Sequence, residues 1–175
     1  MIRLVKNSRG VINLDLYGAV ETTLNDLKIP FEIVEHPPAL NTEEADSYIE
    51  DIEGVRTKSM FLTNKKKTAY YLVIMDDQKR LDMGKIKDIT GEKLVKMASE
   101  DSLMEKMSLA AGVVSVFGLL NNREKDIKVY FDKEITNESR MSFHPNVNTK
   151  TIFLNTNDVF KFIRNVGYDY SIIEI

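Results

Sequence analysis

Lys58-Ser59-Met60-Phe61-Leu62-Thr63 and Ala69-Tyr70-Tyr71-Leu72-Val73-Ile74-Met75, separated by Asn64-Lys65-Lys66-Lys67-Thr68, decide the reading of the fold. Both outer runs are rich in aromatic, β-branched and large apolar residues and have the length of ordinary strands. The polar segment between them suits a turn, so the two runs are expected to form an antiparallel hairpin.

Upstream of this hairpin, Leu16, Val20, Leu24 and Leu27 recur at spacings of four and three, which predicts an amphipathic helix over 16–27. Pro30 follows, and Phe31 to Glu35 reads as a short strand. His36-Pro37-Pro38 must be extended or turned, because proline restricts itself and its predecessor. Asn41 precedes Glu44 at capping-box spacing and predicts a helix through Ile49.

Downstream, helices are expected at Lys85–Ile89 and Asp101–Met107, with a strand at Lys93–Met97. Further strands are expected at Val113–Phe117, Ile127–Phe131, Arg140–Phe143, Thr151–Leu154 and Tyr170–Glu174. A last helix, capped by Asn155 or Asn157, runs through Arg164. Strands and helices without strict βαβ alternation predict an α/β (α+β) fold: one domain over residues 1–175, with a mixed, largely antiparallel sheet and flanking helices.

Composition narrows the chemistry. At 175 residues the chain has room for one domain with a real core, and a second would be cramped. There is no apolar run long enough to cross a bilayer, so no membrane role is expected. The stretch MIRLVKNSRG lacks the apolar block of a signal peptide. Without cysteine there is no disulfide, thiolate nucleophile or Cys-based zinc site, which fits a reducing cytoplasm. The net charge of −3 leaves no overall footprint of nucleic-acid binding; the lysines at 65–67 read as a solvated surface.

Phosphate-binding glycine loops and the G-x-S-x-G elbow are absent. The two histidines, His36 and His144, each precede a proline and have no helical pairing to support a metal site, so no metal or other cofactor is expected. Four segments remain as site material. Glu35-His36-Pro37-Pro38 ends a strand and leads into a helix, and Lys58 opens an apolar strand. A lysine near a cleft positions a phosphate or carbonyl as a point charge. Gly112-Val113-Val114-Ser115-Val116-Phe117-Gly118 brackets apolar residues with glycines, which let backbone approach a ligand and offer N–H groups to an oxyanion. His144 to Thr149 is a polar loop between strands. For each, a corner, a strand end, a buried strand or a capped turn is the plain structural alternative.

In this order and spacing, His36-Pro37-Pro38, Thr57 to Leu62, Phe117-Gly118-Leu119-Leu120-Asn121 and Phe143-His144-Pro145 through Asn148-Thr149 resemble the prolyl-tRNA editing family of YbaK-like domains. The resemblance runs from about Asp15 to Glu174 and is nearest the free-standing Ala-tRNA(Pro) deacylases. It implies hydrolysis of the ester that joins a wrong amino acid to the tRNA 3′ end, mischarged tRNA(Pro) as partner, and a link to prolyl-tRNA synthetase. By position it makes Lys58, Gly112 and His144 the catalytic residues. It makes His36, Val113, Val114, Ser115, Val116, Phe117, Gly118 and Asn148 candidates for substrate binding. Lysine is ordinarily cationic near neutrality, which suits positioning rather than general-base action. The resemblance also implies that the substrate's ribose hydroxyl assists the attacking water, so no protein triad is needed.

This chain has Val116 where the family's G-x-x-x-P loop ends in proline, and Asn122 where aspartate is usual. Removal of cysteine or another small amino acid, a non-catalytic module that binds tRNA or the synthetase, and a metal-dependent hydrolase are the alternatives kept open.

Overall fold

The computed structural model describes residues 3–7, 10–39 and 42–175, with side chains described for 15–39 and 43–175. In chain order the elements are β1 (Arg3–Asn7), β2 (Gly10–Leu14), α1 (Leu16–Asp26), β3 (Glu32–Glu35), α2 (Thr42–Ser47), β4 (Val55–Asn64) and β5 (Tyr70–Asp76). Then come α3 (Met83–Thr90), β6 (Val95–Met97), α4 (Glu100–Met107), a 3₁₀ helix (Val116–Asn121), β7 (Ile127–Asp132) and α5 (Lys133–Thr136). β8 (Arg140–Phe143), β9 (Lys150–Asn155), α6 (Thr156–Asn165) and β10 (Tyr170–Ile173) complete the fold.

The expected hairpin is the centre of the molecule. β4 and β5 pair antiparallel from Thr57↔Asp76 to Thr63↔Tyr70, and the Asn64 side chain closes the turn by accepting the Thr68 N–H at 2.9 Å. Every residue from Tyr70 to Met75 is buried, so β5 is covered on both faces. One face meets Leu16, Val20 and Leu24 of α1, Phe162 and Ile163 of α6, and the 3₁₀ helix. The other meets Ile86 of α3 and Val95 of β6.

The sheet runs β10-β7-β5-β4-β8-β9-β3, with β6 added to β4. β4–β5, β4–β6, β8–β9 and β3–β9 are antiparallel, while β10–β7, β5–β7 and β4–β8 are parallel. The expected mixed sheet with flanking helices is thus formed. β1 and β2 make a separate antiparallel pair that the sequence reading did not assign, and it also left α5 unassigned.

One edge of β4 has two partners in succession. Val55 and Arg56 pair with β8, whereas Leu62 to Asn64 pair with β6. Between them the edge forks. Thr57 still reaches β8 through its hydroxyl, which donates to the Ser142 carbonyl at 2.5 Å, and Phe61 accepts the Ala98 N–H at 2.9 Å. Backbone groups two residues apart along a strand face the same way. Ser59, midway between them, therefore aims its N–H and C=O into the fork.

The expected strand at Val113–Phe117 is corrected. Val116 to Asn121 wind as a 3₁₀ helix, opened by the Ser115 hydroxyl, which accepts the Phe117 N–H at 3.2 Å. Gly118 shows why the segment is so close to α4. A Cβ there would lie 2.8 Å from Leu109 Cδ1 and 3.0 Å from Met107 Sδ. A short apolar run such as this fits a buried helix as well as a strand.

At the ends of helices, Asp15 caps α1 by accepting the Gly18 N–H at 2.8 Å. Asn155 takes the cap position of α6 but makes no side-chain capping bond, and the Thr156 hydroxyl donates to the Glu138 carbonyl instead. The cap expected from Asn41 lies outside the described residues.

Phe117 is fully buried and meets Phe143 and Phe162 edge-on, with ring centroids 5.9 and 5.2 Å apart. Phe117→Ala is expected to cost about 3–5 kcal/mol of stability in urea unfolding, as for other large aromatic truncations in cores.

Candidate active site

The fork in β4 opens on a cavity of about 400 Å³. Thr57, Lys58, Ser59 and Phe61 form one wall, and Ser142, Phe143 and His144 at the end of β8 form another. Ala111, Gly112 and Val114, after α4, supply a third side, while Ala45, Asp46 and Ile49 from α2 and the turn beyond it close over the space. Asn148, Thr151 and Asp77 complete the part used below.

Alternation along β4 puts Thr57, Ser59 and Phe61 on the face of the larger core and Lys58 on the opposite face. Lys58 reaches the rim and donates from Nζ to the Asp77 carbonyl at 2.9 Å. Gly112 has φ +90°, a conformation that side chains rarely adopt, although a Cβ there would meet nothing within 4 Å. The glycine is required by backbone shape rather than by space. Among the described residues, no hydrogen bond takes the N–H of Gly112, Val113 or Val114.

His144 has its Nδ1 3.1 Å from the Lys150 carbonyl, which can only accept, so Nδ1 carries the proton and Nε2 keeps its lone pair. Burial holds this imidazole below the usual histidine range; the Lys150 carbonyl opposes the shift and the neighbouring His36 adds to it. His144 is accordingly neutral at pH 7.

His36 stands behind this wall rather than on it. Its Nδ1 is 2.8 Å from the Pro37 carbonyl, and its Nε2 is 3.0 Å from the Thr151 hydroxyl. Its ring stacks on Tyr48 at 5.1 Å and meets His144 edge-on at 6.1 Å. It is buried, with both ring nitrogens engaged, so its expected direct role in binding becomes support of Thr151 and His144.

The structure thus brings Lys58, Gly112, Val114, His144 and Asn148 to one cavity. It does not bring the other loop candidates there. Val116, Phe117 and Gly118 face the core, and Ser115 spends its hydroxyl on the Phe117 N–H. Val113 packs partly buried against the same core. These five residues shape the loop from beneath. Asn146 joins the two loops of the site, donating from Nδ2 to the Phe117 carbonyl at 3.3 Å.

Sequence reading missed Arg56, Asp46 and Asp77. The Arg56 guanidinium donates to the carbonyls of Ile52 at 2.9 Å, Gly54 at 2.6 Å and Ile49, tying the connection after α2 to β4. Asp46 and Asp77 line the cavity beside this tie, with their carboxyls close enough to interact. Burial, followed by the contact with Asp77 and its charge, pushes Asp46 up to about 7. Asp76 adds to this, and Arg56 opposes it. Among the described residues no group of three or more His, Cys, Asp or Glu side chains is placed to hold a metal ion.

A cavity with a cationic rim and free backbone donors suits ester hydrolysis by water. Comparison with known proteins gives the class: the model of the aminoacyl-tRNA editing domain matches residues 36–162, and the chain belongs to that family of aminoacyl-tRNA hydrolases. Within it, the chain is 34% identical over 166 residues to the prolyl-tRNA editing protein ProX of Acetoanaerobium sticklandii, covering 94% of this chain and 100% of that one. It is 29% identical over 159 residues to the prolyl-tRNA synthetase associated domain-containing protein 1 of Bos taurus, covering 89% and 92%. A crystal structure described as a candidate trans-editing enzyme for prolyl tRNA synthetase superposes with a TM-score of 0.72 at 17% identity, covering 94% and 99%, and shares the fold.

The carboxyl pair makes stability depend on pH. Asp46 titrates near 7 in the folded chain and near the ordinary aspartate value of about 3.9 when unfolded. The folded state therefore binds more protons between those values, and stability falls as pH rises through that window. Asp46→Asn is expected to raise Tm above wild type at pH 8, with the difference closing as pH falls toward 4. An equal difference at both pH values would remove the shifted carboxyl from the account.

Proposed function

We propose that this chain is a free-standing, trans-acting deacylase that hydrolyses the ester of mischarged tRNA(Pro), above all Ala-tRNA(Pro). The observation that carries the reading is the meeting of Lys58 and the Gly112 loop on the cavity in the fork of β4. The reading implies a cytoplasmic enzyme that works on tRNA released by prolyl-tRNA synthetase.

The geometry supports a division of labour. The free N–H groups from Gly112 to Val114 are suited to the ester oxygen as negative charge develops on it. Lys58, held at the rim by the Asp77 carbonyl, is suited to fixing the terminal nucleotide by its charge. Neutral His144 offers Nε2 as an acceptor for a substrate hydroxyl or the attacking water. The ribose hydroxyl next to the ester assists that water, which accounts for a site without a protein triad.

The need for such an enzyme is physical. A synthetase pocket built for proline discriminates against a smaller side chain by only about 1–3 kcal/mol per missing methylene. A second site that admits alanine and excludes proline corrects the error. Val114 and Phe61 line the cavity and suit that sieve, whereas Val116 lies beneath the loop. The unusual residue at 116 therefore bears on loop shape more than on direct contact with the amino acid.

Ala-tRNA(Pro), Cys-tRNA(Pro) and Pro-tRNA(Pro) assayed side by side test the reading. Fast hydrolysis of the alanyl ester, slower hydrolysis of the cysteinyl ester and sparing of the prolyl ester are expected. Preference for cysteine would change the assigned substrate, and binding without turnover of any ester would make the chain a non-catalytic module. Lys58→Ala is expected to lower the alanyl rate roughly 100-fold or more while the fold, read by circular dichroism, is kept. Near-wild-type hydrolysis by the folded variant would take Lys58 out of the mechanism.

A further inference from the structure

Asp46 and Asp77 are brought together by the fold alone, since one belongs to α2 and the other follows β5. Two carboxyls in contact repel when both are charged, and a cation beside them would relieve the repulsion. The two nearest cations are directed elsewhere. Lys58 donates to the main-chain carbonyl of Asp77, and Arg56 donates to three carbonyls after α2. Among the described residues, neither aspartate makes an ion pair. The Gln78 amide gives Asp77 one neutral contact at 3.2 Å. The pair nevertheless lines the same cavity as Gly112 and His144.

An aminoacyl ester supplies what this wall lacks. Its α-carbon carries a primary ammonium immediately beside the carbonyl that is attacked. We infer that the Asp46–Asp77 pair receives this α-ammonium, so that the enzyme selects esters with a free amino group over their α-hydroxy counterparts. The inference rests on the deacylase reading above and adds to it the chemical group by which the substrate is oriented. A primary ammonium has three donors and can serve both carboxyls at once, with one N–H left for water. Two carboxyls alone fall short of the six or more oxygens of a calcium cage, which favours an organic ammonium as occupant. With the amino group held on this wall, the adjacent carbonyl is left to the N–H groups that the Gly112 loop offers to the same cavity.

The test compares Ala-tRNA(Pro) with lactyl-tRNA(Pro), in which a hydroxyl replaces the ammonium without added bulk. The two esters differ in intrinsic lability, so the readout is the ratio of their kcat/KM values, variant against wild type. Asp46→Asn and Asp77→Asn are each expected to lower kcat/KM for the alanyl ester roughly 10- to 100-fold, as for the loss of a hydrogen bond to a charged group. The lactyl rate is expected to stay within a factor of two or so, so the ratio collapses. Equal losses on both esters would make the pair a structural device and overturn the inference, while leaving the deacylase reading intact. Absence of hydrolysis of either ester by wild type would overturn both readings.

A second measurement needs no variant. Wild-type hydrolysis is inhibited with adenosine bearing a stable 3′-alanylamide or 3′-lactylamide. Inhibition by the alanyl compound at about tenfold lower concentration is expected, and equal inhibition overturns the inference.

Discussion

One strand edge serves two partners, and much of the site depends on that constraint. β4 is long enough to pair with β8 at its start and β6 at its end, and the partners diverge between Arg56 and Leu62. The gap is held open on both sides, by Thr57 on Ser142 and by Phe61 on Ala98. Because β5 backs β4 from Thr57 to Thr63 and is buried on both faces, the gap has a firm wall. Residues on four separate segments, Lys58, Gly112, His144 and Asp46, face a common space as a result.

A layer of hydrogen bonds stands behind that space. His36 ties the Thr151 hydroxyl to the Pro37 carbonyl, and its ring is fixed between Tyr48 and His144. The Lys150 carbonyl sets the His144 tautomer. Asn146, at φ +63°, links the loop after β8 to the 3₁₀ helix below Gly112. Each of these contacts fixes an orientation without exposing the group that makes it. Preorganisation of this kind lowers the reorganisation that an electrostatic site must undergo during reaction.

The sequence displays α1 through the helical spacing of its apolar residues, the hairpin through two β-rich runs around a polar turn, and α6 through a candidate cap. The run from Val113 to Phe117 is short, apolar except for Ser115, and indifferent between strand and helix. Its fate is decided by Gly118 packing against Met107 and Leu109, a contact that no local pattern records. The site divides in the same way. Lys58, Gly112 and His144 stand in segments whose wording matches a family, and all reach the cavity. Asp46 and Asp77 stand in no motif, and it is the fold that brings α2 and the end of β5 to the same cavity. Val116 and Phe117 stand in the loop that the resemblance makes a binding element, but the 3₁₀ turn places them in the core.

The outer strands have a bearing on solubility. β3, at one end of the sheet, is four residues long and begins and ends with glutamate, with Arg140 and Lys150 reaching across to them. β10, at the other end, is equally short, and Lys133 pairs with Glu174 just past it. Short strands bounded by charge discourage the addition of strands from a neighbouring molecule. At Ser59 the unpaired backbone is shielded differently, by depth, since a cavity of about 400 Å³ has no room for a second sheet. The molecule can thus keep an incomplete ladder at its centre without becoming a template for aggregation.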